Sequence, residues 1–297
     1  MRHRVPPDVL LLVTVLFWSF NFTVVKYALT HGWEPLAYSS VRFAIGALLF
    51  SGYTYARESS LRVRRSDVLF MTGAALSGIW LNQLSFVFAV KLTTAATVAL
   101  MFGTLPIFVA LVSWAFGLER LRLRHWTATV ISFSGVALVA AGASSGLSGD
   151  LGGILLGLAA SATWAVYSAA MVPLMRRYSP FRLSAVFLLA VTPLLALAGS
   201  QQLAHQRYDF GALVWIGFAF AVLGPLVITN LLWFTAIDRV GPSRASLFAN
   251  LQPFLAAIIA LVLLSEPITT VQIIGGVAIA AGIALSPRRT APRPPAE

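Results

Sequence analysis

Long apolar runs follow one another along almost the whole chain, and they constrain the fold more than any other feature of the sequence. A helix needs about 20 apolar residues to cross the hydrocarbon core of a membrane. Helices also satisfy their backbone hydrogen bonds without water, so the pattern predicts an all-α integral membrane protein with ten transmembrane helices. The ten runs lie at residues 8–29, 35–56, 67–90, 94–116, 124–143, 151–172, 181–199, 211–236, 243–264 and 268–286.

The composition agrees with a chain embedded in lipid. Charged residues make up 10% of the sequence and hydrophobic residues 58%, whereas soluble domains carry about 25% charged residues. The net charge of +11 would suggest nucleic acid binding in a soluble protein, but here the basic residues occupy short loops between apolar runs. We therefore expect the lipid bilayer and a small-molecule substrate as partners, no nucleic acid, and a monomer.

Enzyme and metal chemistry find little support in the sequence. There is no cysteine, and the four histidines lack metal-ligand spacing, so we expect no metal, no cofactor and no catalytic residue. The segment GASSG at residues 142–146 matches the pattern of a serine hydrolase, but no strand precedes it and no histidine lies in the middle of an apolar run.

The Lys and Arg residues predict the orientation. With the N-terminus in the cytoplasm, fifteen of them fall on the cytoplasmic side, whereas only Lys91 and Arg207 fall on the outer side. This bias is a strong positive-inside signal. It predicts a multi-pass protein of a bacterial inner membrane with both termini cytoplasmic and a disordered cytoplasmic tail at 288–297. The other basic residues lie in or at the ends of the runs: Lys26, Arg42, Arg182 and Arg244.

The second half of the chain repeats the first. Residues 89–139 match residues 236–286 without a gap at a shift of 147, and Trp18 matches Trp164 at a shift of 146. Each half, 1–147 and 148–287, then holds five runs. Because five is odd, the second half must enter the membrane from the opposite side, which is the inverted repeat typical of secondary transporters. The matched pairs include Ala89 with Ala236, Pro106 with Pro253, Glu119 with Glu266, and Gly135 with Gly282.

Several motifs occur in a fixed order: FWSFNFTVVKYA in the first run, Arg42 in the second, and TTAATVALMFGTLPIF with its mate GPSRASLFANLQPFL. A Glu followed by Gly sixteen residues later ends each half. With these motifs the chain resembles the EamA-type ten-span exporters of the drug/metabolite transporter superfamily, and among them the YddG-type exporters of aromatic amino acids. The resemblance implies an inverted-repeat bundle with a central cavity, and export of small metabolites.

Two matched positions predict a cavity wall from each half. Asn21 shares a helical face with Trp18, and its mate Tyr167 lies beside Trp164. An interfacial position for Trp18 fits poorly, because this residue lies about 15 Å into its helix. The predicted cavity residues are Trp18, Asn21, Tyr38, Asn82, Met101, Trp164, Tyr167, Phe248 and Asn250.

Other polar or helix-breaking residues leave alternatives open. Amides within the runs either join helices by hydrogen bonds or face a wet cavity. Arg42 either extends to the membrane surface, pairs with Glu34, or contacts a substrate carboxylate. Gly103, Pro106 and Pro253 interrupt matched helices, so they are either hinges or static bends.

None of the ten acidic residues lies in the middle of a run. A proton antiporter usually needs a buried titratable group, so facilitated export or exchange is favoured. We expect an exporter of small amphipathic, uncharged or zwitterionic metabolites, with amino acids, including aromatic ones, as the leading class. The alternatives are a multidrug or nucleotide-sugar carrier, and, outside transport, a membrane scaffold or an intramembrane enzyme.

Overall fold

The computed structural model describes residues 5–118, 122–142, 150–264 and 269–286, and every regular element in these ranges is a helix. This confirms the all-α prediction. The predicted tail at 288–297, together with Glu119 and Glu266, lies outside the described residues. The helices are α1 (Pro7–Thr30), α2 (Pro35–Glu58), α3 (Arg65–Leu92), α4 (Ala95–Phe102), α5 (Leu105–Ala115), α6 (Leu123–Gly142), α7 (Leu151–Leu174), α8 (Pro180–Ala198), α9 (Ser200–His205), α10 (Ala212–Val240), α11 (Pro242–Ala249), α12 (Leu251–Leu264) and α13 (Thr270–Leu285).

Every predicted apolar run coincides with helix in the described residues. Seven helical stretches there are long and apolar enough to cross a membrane. The other three runs are helical but do not meet that standard. α2 carries Arg42 and several Ser and Tyr residues, α11 and α12 are separated at Asn250, and α13 is shorter. The count of ten spans therefore stays a prediction.

The most extensive helix contacts join a helix of the first half to one of the second half. α6 packs on α13, α2 on α8, α3 on α7, and α1 on α10. Under the repeat, α1 corresponds to α7, α2 to α8, α3 to α10 and α6 to α13. If each helix is replaced by its counterpart, the α1–α10 pair becomes the α7–α3 pair, and the α6–α13 and α2–α8 pairs map onto themselves. The two halves are therefore interleaved.

α6 and α13 approach each other closely enough for backbone contact. A Cβ atom on Gly135 would lie 2.6 Å from the carbonyl oxygen of Gly275, and one on Gly282 would lie 2.7 Å from that of Ala128. These two contacts correspond under the shift of 147 residues. Small residues allow such packing within a membrane, where apolar helices gain no hydrophobic energy by leaving lipid.

Irregular helix geometry recurs at matched positions. α3 contains a π-helical turn at Leu76–Trp80, and α10 contains one at Val222–Ile228. The gap between α4 and α5 at Gly103–Thr104 corresponds to the gap at Asn250. Pro106 and Pro253 lie in the first turn of the helices that follow these gaps, where a missing N–H leaves no helical hydrogen bond unmade.

Replacing Gly135 should weaken the α6–α13 contact. We expect Gly135→Ala to lower the free energy of unfolding by about 1–3 kcal/mol, because the added methyl group would overlap backbone atoms that cannot move independently. Gly52→Ala is the matched control, since nothing lies within 4 Å of its Cβ position in α2. Denaturation in mixed micelles would measure both variants, and equal stability would contradict the packing described here.

Candidate functional site

A cavity of about 90 Å³ lies where helices of the two halves meet. α1, α2, α3 and α4 contribute to it from the first half, and α7, α8, α10 and α12 from the second. Its lining residues are Trp18, Asn21, Phe22, Arg42, Phe43, Ile79, Asn82, Gln83, Phe86, Phe102, Trp164, Tyr167, Leu188, Pro225, Leu226, Asn230 and Gln252. The wall is therefore mainly aromatic and aliphatic, with five amides and one cation.

The two matched tryptophans touch each other beside this cavity. The rings of Trp18 and Trp164 meet edge to face with centroids 5.5 Å apart. Trp18 also packs on Trp233 at 4.9 Å and donates its Nε1 hydrogen to Thr229 Oγ1 at 2.8 Å. The indole N–H of Trp164 is buried without an acceptor among the described residues. The pair is thus symmetric in position but not in hydrogen bonding.

The amides around the cavity have two different roles. Asn82 donates to the carbonyl oxygen of Ala160 at 2.7 Å and so links α3 to α7. Asn230 donates to the carbonyl oxygen of Leu226 in the π-helical turn of α10 at 2.8 Å. The Asn82 bond joins two helices, which is one of the alternatives that the sequence left open, whereas the Asn230 bond lies within α10.

Other amide atoms at the cavity are buried without a protein partner. In the described part of the chain this holds for Oδ1 of Asn21, Oδ1 of Asn230, and both side-chain polar atoms of Gln252. A buried polar group that lacks a hydrogen bond costs about 1–3 kcal/mol. Several of them at one cavity are therefore typical of a site that binds a polar molecule or water.

Arg42 is the one basic side chain in the cavity wall, and it is 5% exposed. Its Nε donates to the carbonyl oxygen of Ala221, at the start of the π-helical turn of α10, at 3.1 Å. No described acidic residue forms an ion pair with it. Glu34, the partner considered from the sequence, instead lies 3.7 Å from Lys91, and the burial of Arg42 excludes extension to the membrane surface.

Lys26, Arg182 and Arg244 have hydrogen-bond or ion-pair partners. Lys26 is partly exposed and donates to three backbone carbonyl groups at the end of α3 and the start of the following loop. The partners are the carbonyl oxygens of Val90, Lys91 and Thr93 for Lys26, Glu58 for Arg182, and Asp8 with the carbonyl oxygen of Ser286 for Arg244.

The structure places six of the predicted residues at this cavity: Trp18, Asn21, Arg42, Asn82, Trp164 and Tyr167. Four others lie elsewhere. Tyr38 packs against Trp33 and Phe218, and the side chain of Met101 covers Gly157. Phe248 lies beneath the guanidinium group of Arg244, and Asn250 donates to Ser132 Oγ at 2.8 Å.

The prediction omitted several lining residues. Gln83 and Asn230 carried a usable signal, because both are amides within apolar runs and they match at the shift of 147. Gln252 carried only one of these signals, that of an amide within an apolar run. Phe22 and Phe86 had none, since a phenylalanine in a membrane helix faces lipid, a neighbouring helix or a cavity with equal ease.

A model of the EamA-like transporter family matches residues 6–141 and, separately, residues 151–287. The chain belongs to the EamA-like transporter family. It is thus a multi-pass membrane transporter of the drug/metabolite superfamily, and the family resemblance predicted from its motifs is confirmed.

Relatives of this EamA-like chain match nearly its whole length. An "Uncharacterized transporter" of Archaeoglobus fulgidus is 24% identical over 95% of this chain and 98% of its own. A "Probable amino-acid metabolite efflux pump" of Escherichia coli is 24% identical over 93% of this chain and 92% of its own. A solved crystal structure is similar with a TM-score of 0.77 over 94% of this chain and 95% of its own, and at 20% identity this likeness concerns the fold.

A thiol placed at the cavity should react with a small hydrophilic reagent. The natural chain has no cysteine, so a single introduced cysteine is the only target. We expect Asn21→Cys in proteoliposomes to react about tenfold or more faster with a methanethiosulfonate than Leu48→Cys, because the reactive thiolate forms only where water or polar groups stabilise it. Leu48 is 71% exposed on the surface of α2, and equal rates would contradict a polar cavity at Asn21.

Proposed function

We propose that this EamA-like transporter exports small amphipathic metabolites through the central cavity, and that amino acids, including aromatic ones, are its main substrates. The observation that carries the proposal is the contact of Trp18 with Trp164 beside unpaired amide atoms. Indole rings provide stacking surfaces, and the amides provide groups for a polar end. The printed name of the Escherichia coli relative supports the same substrate class.

The proposed topology is ten spans arranged as two inverted repeats of five, in a bacterial inner membrane with both termini in the cytoplasm. Three observations support it. The family model matches each half separately, the π-helical turns and helix gaps recur at matched positions, and the helix pairs persist when the halves are exchanged.

Transport would proceed by alternating access. Ligand pockets usually measure about 300–1,000 Å³, whereas this cavity measures about 90 Å³, so the site must widen to admit an amino acid. Gly103, Pro106 and Pro253 are the proposed hinge residues, because they flank the gaps that separate α4 from α5 and α11 from α12. Backbone at such gaps can bend without breaking a continuous helical ladder.

The proposed mode is facilitated export or exchange. No described acidic residue lines the cavity. Asp8, Glu34, Glu58 and Asp67 each lie next to a basic side chain at a helix end. The cavity therefore offers no carboxyl group to carry a proton through the membrane in the manner of a buried-carboxylate antiporter. A nucleotide-sugar carrier would need several cations for its phosphates, and Arg42 is a single cation.

Removing one indole should slow transport of an aromatic amino acid. We expect Trp164→Ala to reduce the efflux of labelled tryptophan from proteoliposomes by about tenfold, the change that roughly 1.4 kcal/mol of lost binding energy produces. Wild-type efflux should be saturable and should persist without a pH gradient. Trp114→Ala is the matched control, because Trp114 is 69% exposed on the surface of α5.

Three results would contradict this proposal. Equal efflux from the two tryptophan variants would remove the site assignment. Efflux that requires a pH gradient would replace facilitated export with proton coupling. A failure of the pure wild-type protein to move any amino acid would favour the multidrug or nucleotide-sugar alternative, or a scaffold or enzyme role outside transport.

A further inference from the structure

Arg42 carries a positive charge in the cavity wall that no described acidic residue balances. The side chains of Lys26, Arg182 and Arg244 each have a carboxylate or several carbonyl oxygens as partners. Arg42 is 5% exposed and has one carbonyl partner. Burial of a cation without a counter-charge is unfavourable and is usually connected with function in membrane proteins.

The geometry leaves the outer end of this side chain available. A guanidinium group carries five N–H donors in a planar fork. Only Nε donates a hydrogen bond within the described residues, to the carbonyl oxygen of Ala221. This bond fixes the side chain against α10, and the two terminal nitrogen atoms remain for another acceptor. A carboxylate is the planar anion that matches two parallel N–H groups of arginine.

The charge is confined to one side of the cavity. α2 begins at Pro35 and α8 at Pro180, so Phe187 is the position that matches Arg42. Leu188, the next residue of α8, lines the cavity. The repeat therefore does not require an arginine here. One wall is cationic and the matched wall is apolar, which suits an organic anion with an apolar portion.

We propose that Arg42 binds the carboxylate of the transported molecule, so that a free carboxylate is a requirement for transport. This inference rests on the proposed export function and narrows its substrate class. The unpaired amide oxygens of Asn21 and Asn230 then accept from an α-ammonium group where one is present. Neutral and purely cationic compounds leave the arginine unpaired and are excluded.

Carboxylate and amide versions of one molecule test this requirement. Labelled tryptophan would be exchanged in proteoliposomes against unlabelled tryptophan, indole-3-propionate, tryptophanamide or tryptamine. The first two carry a carboxylate and should compete, whereas the last two lack it and should compete about tenfold or more weakly, since each tenfold corresponds to one lost charge-assisted contact. Equal competition by tryptophan and tryptophanamide would overturn the inference while leaving amino acid export intact.

Substitutions separate binding from a structural role of Arg42. Arg42→Gln keeps a donor for Ala221 but removes the charge, so the preference for carboxylate over amide should fall about tenfold or more. Arg42→Lys keeps the charge without the fork, so it should retain part of the preference with a higher KM. Arg182→Gln is the control, because Arg182 pairs with Glu58 away from the cavity. If the only role of Arg42 is to hold α10 in place, Arg42→Gln will weaken the carboxylate and the amide compounds equally. That result would contradict the proposal.

Thermal stabilisation of the pure protein provides a readout that needs no flux. Tryptophan and indole-3-propionate should raise the unfolding temperature of the wild type, and tryptophanamide should not. Arg42→Gln should lose this difference. If neither tryptophan nor indole-3-propionate stabilises the protein, the inference is overturned, even if transport of another compound is found. Stabilisation by these compounds without flux would contradict the export proposal alone.

Discussion

The rest of the structure depends on one constraint: backbone groups within a membrane must find partners inside the protein. α10 departs from α-helical geometry at Val222–Ile228, and side chains complete the hydrogen bonds around this turn. Thr229 donates to the carbonyl oxygen of Pro225, Asn230 to that of Leu226, and Arg42 to that of Ala221. Irregular backbone is tolerated where it borders a cavity. Arg42 and Asn230, two polar residues of the site, thus also satisfy backbone groups at the π-helical turn of α10.

Features encoded by local pattern could be predicted from the sequence. The apolar runs and their Pro, Gly and charged ends gave the helices, and the match of Trp18 to Trp164 placed two indoles at the junction of the halves. Asn82 was recognised because an amide in an apolar run must find a partner. These predictions needed only the periodicity of a helix and the cost of burying polar atoms.

Features that depend on helix rotation could not be predicted. A π-helical turn adds one residue to a helical repeat and so rotates everything beyond it. Nothing in Leu76–Trp80 marks such a turn, and Pro225 in the matching turn resembles an ordinary kink. Tyr38 and Phe248 were assigned to the cavity from their residue type and run, but their faces are set by neighbouring helices. Tyr38 instead joins the aromatic cluster around Trp33, and Phe248 supports Arg244.

The interleaving of the two halves has a consequence for biosynthesis. A ribosome completes α1 to α6 before it makes α7, α8, α10 and α13, the helices on which the first half packs. During that interval Trp18 has no Thr229 to accept its N–H, and Arg42 has no Ala221 carbonyl group. The first half therefore enters the bilayer with both of these polar groups lacking the acceptors that they have in the folded protein. Synthesis of the second half supplies both acceptors, so these interior contacts form late in biosynthesis.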